Sequence, residues 1–185
     1  MENLTRQLVT GCARQNPKCQ KILYEEYYGK LMKVAFRYVS TYEQALVLTQ
    51  YGFLKIFQEL VQFRIGQDVI AKDDLSSWIK KIFIVILVDH IKSELTLHMP
   101  RPVSEELWKQ DDRPFTDTEM INIKLIKILK GLPTVSRLVF NLFVIDGFTH
   151  FEIAGMLGIK VESSKQNLVK AREYCKRSLG SLVIR

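Results

Sequence analysis

The sequence predicts an all-α fold: two small helical domains joined by a linker, the C-terminal one a helix-turn-helix. Three observations predict it. Apolar residues recur at three- and four-residue steps along most of the 185 positions, the spacing of a helical face and not of a strand. Residues 97 to 116 lose that rhythm and hold Pro100, Pro102 and Pro114, which marks a linker. Near the C-terminus a capping box, a one-glycine turn and a basic helix follow one another. The domains so drawn are residues 1 to 96 and 117 to 185, on either side of the linker 97 to 116.

In the first domain, residues 2 to 14 form an amphipathic helix through Leu4, Leu8 and Val9. Pro17 suits the first turn of the next helix, where its missing N–H is harmless. Ile22, Leu23, Tyr27, Leu31, Val34, Ala35 and Tyr38 then mark one face. Ser40-Thr41 breaks the pattern and can cap a third helix with Ala45, Leu48, Gly52, Phe53, Ile56, Phe57 and Leu60 inward. Residues 64 to 74 read as a loop, and a fourth helix runs from about Leu75 to Glu94, with Trp78, Ile79 and Ile82 on one face. Its middle, Ile82 to Val88, is apolar all round and would also fit a buried strand, but the flanks keep the helical rhythm. In the second domain one helix passes through Ile121, Leu125, Ile128 and Leu129 and stops at Gly131 and Pro133. Another follows through Leu138, Val139, Leu142, Phe143 and Ile145 to Asp146-Gly147.

Composition narrows the function classes. With 47% apolar and 25% charged residues, the chain is far from the signature of disorder. Cys12, Cys19 and Cys175 form no C-x-x-C pair, which argues for a reducing compartment and for small core residues over reactive thiols. No basic region followed by an apolar block opens the chain, and the longest apolar run is seven residues, against about 20 for a membrane span. A cytoplasmic protein without membrane insertion is the expectation. The net charge of +7 concentrates toward the C-terminus, where residues 160 to 185 carry seven basic and two acidic side chains. That stretch suits nucleic acid or an anionic membrane, or is a solvated face.

The strongest local signal begins at Thr149-His150-Phe151-Glu152, a capping box. Ile153, Ala154 and Leu157 face inward, Gly158 suits a left-handed C-cap, and a second helix starts near Val161 with Ser164, Leu168, Ala171 and Cys175 inward. Its outward stripe is Ser163, Gln166, Asn167 and Lys170, flanked by Lys165, Arg172, Lys176 and Arg177. Gln and Asn can read adenine bidentately, and Lys can reach guanine or a phosphate. The plain alternative is a helical hairpin with a solvated basic face.

Leu132-Pro133 through Phe140-Asn141-Leu142, Gly147 through Ile159, and Glu162 through Arg172 resemble region 4 of RNA polymerase sigma factors, closest to the extracytoplasmic-function type of the sigma-70 superfamily. Leu23-Tyr24-Glu25-Glu26-Tyr27-Tyr28 resembles the opening of region 2, Gln50 to Phe57 its polymerase-binding helix, and Trp78 to Ile82 with Asp89 to Lys92 its promoter-melting helix. The resemblance implies a factor that joins core RNA polymerase, reads the minus-thirty-five element of promoter DNA with its second domain and captures the melted minus-ten element with its first. It implies no catalysis and no cofactor, and admits an anti-sigma factor as a partner. The recognition-helix residues would be Ser163, Lys165, Gln166, Asn167, Lys170 and Arg172. Phe63, Arg64, Trp78, Lys80, Lys81, His90 and Lys92 would hold melted bases by stacking and backbone attraction, although Trp78 also fits a core anchor and Phe63 and Arg64 a packed and solvated helix end. Gln50, Phe53 and Lys55 would face the polymerase.

The chain departs from the family at Val47 and Tyr51, where acidic residues are usual, at Ile84-Val85, where a polar pair is usual, and at Lys160, where Ser caps the recognition helix. These departures leave a second reading, a sigma-like regulatory or interaction module that binds polymerase or DNA without opening promoters. Enzymatic readings find no support: the sequence holds no phosphate-loop motif, and His90, His98 and His150 are too scattered for a metal or a nucleophile site.

Overall fold

The computed structural model describes residues 2–39, 41–62, 72–96 and 127–183. Every regular element among the described residues is a helix. The chain divides into two compact units, residues 1–91 and 92–185. The linker at 97 to 116, and the positions Phe63 and Arg64, lie outside the described residues.

In the first unit, α1 (Glu2–Ala13) packs on α2 (Pro17–Tyr38) and α3 (Tyr42–Gln62). Helix α1 ends in a Schellman arrangement. The Asn16 N–H donates to the Gly11 carbonyl and the Gln15 N–H to the Cys12 carbonyl, both at 2.9 Å, with Gln15 left-handed at φ 57°. That conformation favours glycine, so nothing in the sequence announced it. Asn16 then caps α2, its Oδ1 accepting from the Lys18 N–H at 2.9 Å, with Pro17 in the first turn. Cys19 packs so closely on Gly11 that a Cβ there would collide with its Sγ.

Helix α2 buries Leu23, Tyr27, Leu31, Val34, Ala35 and Tyr38 as their spacing predicts. Leu4 and Ile22, expected on apolar faces, are instead 77% and 53% exposed. Each lies one position from the inward stripe, and a 100° step per residue is enough to turn it out. Thr41 caps α3, its Oγ1 accepting from the Gln44 N–H at 3.2 Å. Helix α4 (Lys72–Thr96) begins earlier than Leu75. Within it Leu75, Ile79, Phe83, Leu87 and Ile91 are buried together with Ile84 and Val88, whereas Val85 is exposed. One buried face at four-residue steps resolves the β-branched run as helix. Gly52 of α3 lets the Phe83 ring approach: a Cβ there would stand 2.5 Å from Phe83 Cδ2.

The second unit packs a helical segment at 127–130, α5 (Thr134–Phe140), α6 (His150–Leu157) and α7 (Val161–Val183). Leu129, Leu132 and Ala171 form one buried cluster, with Phe140, Tyr174 and Cys175 against it. Helix α5 continues as a π turn, Asn141–Ile145, closed by the Asp146 N–H donating to the Asn141 carbonyl at 2.9 Å. The wider turn takes the following side chains off the predicted face. Val144 and Ile145 are 46% and 41% exposed, so Ile145 is not the core residue its spacing predicts.

Candidate nucleic-acid interface

The helix-turn-helix forms as the sequence predicts. At its entrance the Glu152 N–H donates to Thr149 Oγ1 at 3.3 Å while the Thr149 N–H donates to Glu152 Oε2 at 2.8 Å. Two otherwise orphaned donors at the start of α6 are thereby satisfied. Gly158 ends α6 in the left-handed region, φ 66° and ψ 35°, which costs glycine little. The Ile159 N–H donates back to the Ala154 carbonyl at 3.1 Å. Ile153 and Ala154 are buried in α6, and Ser164, Leu168 and Ala171 in α7. Lys160 brings no side-chain acceptor to the start of α7; Glu162 supplies negative charge in the first turn instead.

Two polar contacts tie α7 to its neighbours. His150 Nδ1 and Ser164 Oγ lie 2.9 Å apart, and the His150 ring stacks on Phe143 with centroids 4.3 Å apart. Burial first, then the charges of Lys165 and Arg172, hold the His150 pKa below its ordinary value. Ser136 Oγ of α5 donates to Asn167 Oδ1 at 2.8 Å, and Asn167 Nδ2 donates to the Ser163 carbonyl at 2.9 Å.

These contacts sort the predicted recognition residues. Lys165, Gln166, Lys170 and Arg172 are exposed, as are Lys176 and Arg177. Ser163 is half-buried. Asn167 corrects the outward stripe: it is half-buried, and both ends of its amide meet protein atoms. Val169, 55% exposed between Lys165 and Lys170, belongs to the outer face and carried no polar signal that would have singled it out. Not every cation of the unit faces solvent. Arg137 is buried, and burial, with the Arg137 charge second, lowers the pKa of Lys130 to about 8.

The predicted residues of α4 do not share one face. Trp78, Lys81, Val85 and Lys92 recur at offsets that keep a common stripe, while Lys80 and His90 lie nearly opposite, on the side of the buried Ile79, Phe83 and Leu87. Lys81 is exposed; Trp78, Lys80, His90 and Lys92 are half-buried. On α3, Gln50 is exposed and Lys55 half-buried, its Nζ 5.8 Å from the Tyr51 ring centre. Phe53 corrects the polymerase-facing set. It is 2% exposed and packs on Tyr24 at 4.5 Å between ring centres, because its spacing of four residues from Thr49 and three from Ile56 keeps it on the buried face. The exposed side of α3 carries Val47, Tyr51, Leu54 and Val61 instead.

This is a helix-turn-helix protein of two helical units. Residues 123–175 match the sigma-70, region 4 family. Over most of its length the chain shares its fold with two solved proteins. It resembles CnrH, solved in complex with the cytosolic domain of CnrY, at 19% identity and TM-score 0.51, covering 95% of this chain and 97% of that one. It also resembles the sigma factor RpoE of Bartonella quintana, solved with the anti-sigma factor NepR, at 18% identity and TM-score 0.56, covering 86% and 96%. No curated protein matches the sequence. Residues 123–175 thus match a sigma-70 region 4, and the described residues share an all-helical fold with these two solved proteins. No described helix is long and apolar enough to cross a membrane.

Proposed function

We propose that this chain is a sigma factor that binds core RNA polymerase and directs promoter-specific transcription initiation in the cytoplasm. The observation that carries the reading is the coincidence of the region 4 match with a formed helix-turn-helix whose second helix exposes Lys165, Gln166, Lys170 and Arg172. Gln166 and Lys170 take base edges of the upstream promoter element in the major groove, and Lys165 and Arg172 take phosphates. Helix α4 holds the melted downstream element along Trp78, Lys81 and Lys92, and α3 faces the polymerase through Gln50, Tyr51 and Leu54. Residues 1–96 and 117–185 act as the two functional domains, joined through 97–116. The relatives solved with CnrY and NepR support an anti-sigma partner that regulates this chain as well.

Run-off transcription with core polymerase on genomic fragments tests the reading, since it requires binding and opening together. Discrete transcripts that depend on the factor are expected; their absence despite core binding refutes promoter opening. One observation favours a second reading. Val47 and Val85 are 61% and 44% exposed, so positions where the family usually presents polar groups present apolar ones to solvent. A module that binds polymerase or DNA without opening promoters would bind core and yield no transcript.

A further inference from the structure

We propose that Asn167 is a positioning residue of the recognition helix and not a reader of bases: its amide fixes the rotation of α7 about its own axis, and so decides which side chains meet the duplex. The inference rests on the sigma factor reading above. Asn167 Nδ2 lies 2.9 Å from the Ser163 carbonyl. A carbonyl only accepts, so the nitrogen must be the atom placed there, and the amide orientation follows from its neighbours. Oδ1 is thereby left to face α5, where Ser136 Oγ donates to it at 2.8 Å. A bidentate adenine contact needs the same oxygen and nitrogen presented outward together. Here both are held by the protein.

The consequence for readout is geometric. Leu168 and Ala171 bury the inner side of α7, but apolar packing has no preferred direction. A hydrogen bond has one. A roll of about 20° moves a side chain at the ~6 Å radius of a helix by about 2 Å, enough to break a base contact made at hydrogen-bonding distance. The bond from Ser136 opposes that roll at the turn that carries Gln166 and Lys170, and the His150–Ser164 contact supports it from α6. Ser136 is 3% exposed, so it acts on readout only through Asn167.

The test uses the full chain assembled with core polymerase, selecting promoters from a library randomised across the upstream element. Ser136→Ala, Asn167→Ala and the double variant are compared with wild type, each checked by thermal melt. Both single variants should flatten base preference at the same positions by about three- to tenfold, the equivalent of one net hydrogen bond, and the double variant should do no more than either. The proposal is overturned if Asn167→Ala changes preference at one base pair while Ser136→Ala leaves the profile intact, which is base reading. It is equally overturned if all three variants keep the wild-type profile and only melt earlier. In the free protein, the Asn167 side-chain amide protons should exchange slowly in wild type and faster in Ser136→Ala; equal exchange removes the pin whatever the DNA result. A wild-type complex that enriches no sequence is a different outcome, because it refutes the sigma factor reading and the role of Asn167 in readout with it.

Discussion

Replacing Val47 by Asp asks whether the apolar residue on α3 is a lost polymerase contact. Val47 is 61% exposed, so folding removes less than half of its side chain from water. Full burial of a Val contributes about 1.5–3 kcal/mol, and the part at stake here is therefore about 1 kcal/mol or less. Asp and Val have nearly equal helix propensity, and position 47 lies in the second turn of α3 (Tyr42–Gln62), beyond the first turn in which the helix dipole acts on a charge. The expected loss is under about 1 kcal/mol, which lowers Tm by no more than about 4–8 °C for a domain of this size. On the binding side, a carboxylate facing a basic polymerase surface raises the association rate more than it slows dissociation. Differential scanning calorimetry of the free factor and surface-immobilised core polymerase measure the two halves separately. Faster association at low salt, lost at high salt, with a nearly unchanged melt, is the expected result. A Tm drop well beyond 10 °C would refute the structural premise that Val47 is a surface residue. An unchanged melt with unchanged association would refute the premise that this face meets a basic partner.

Three further outcomes are expected. Gln166→Ala should cost about 1–3 kcal/mol on the preferred duplex and relax one base position, whereas Lys165→Ala should weaken all duplexes alike and reduce the salt slope by about one; equal losses on specific and random duplexes would reverse those roles. Gly52→Ala should destabilise the first unit by up to about 2 kcal/mol, because overpacking a fully buried Phe83 costs about 1–3 kcal/mol against about 1 kcal/mol of helix propensity gained. Gly29, where a Cβ meets nothing within 4 Å, is the control, and Gly29→Ala should stabilise; denaturant melts of the two variants moving in the same direction would contradict the close approach of α3 and α4. The third concerns pH: since the His150 pKa is depressed below its ordinary 6.5 by burial, Lys165 and Arg172, the unfolded chain binds its proton first as pH falls. The stability it contributes is full above 6.5 and is lost as pH drops through the folded pKa. Wild-type Tm should therefore fall more between pH 7.5 and 5 than that of His150→Gln, and parallel curves would show that the ring is not held neutral.

What sequence alone determined here is what neighbouring residues decide between themselves. The box of Thr149 and Glu152, the left-handed Gly158 and the Pro17 start are interactions within one turn, so residue type at a fixed offset is sufficient information. The inward stripe of α2 was legible for a related reason, since a helix presents the same face every three or four residues wherever it packs. In α4 the spacing put Trp78 and Ile82 with Ile79, whereas the buried stripe is Leu75, Ile79, Phe83, Leu87 and Ile91. The basic outer face of α7 was legible as well, because charge of one sign finds no partner inside a core. Tertiary structure decided the positions at the edges of those stripes. Spacing read Phe53 as inward and the resemblance read it as polymerase-facing, and its burial decides for the core. Val47 and Val85 lie outward because the boundary of a face depends on where the neighbouring helix lies. Ile145 left the core because a π turn added a residue that a 3.6-residue period cannot anticipate. Asn167 and Gln166 are adjacent polar residues with the same chemistry at their ends, and the hydroxyl of Ser136, 31 residues earlier, meets one amide while the other stays exposed. A hydrogen bond between residues so far apart in sequence leaves no periodic trace, which is why it had to be found in three dimensions.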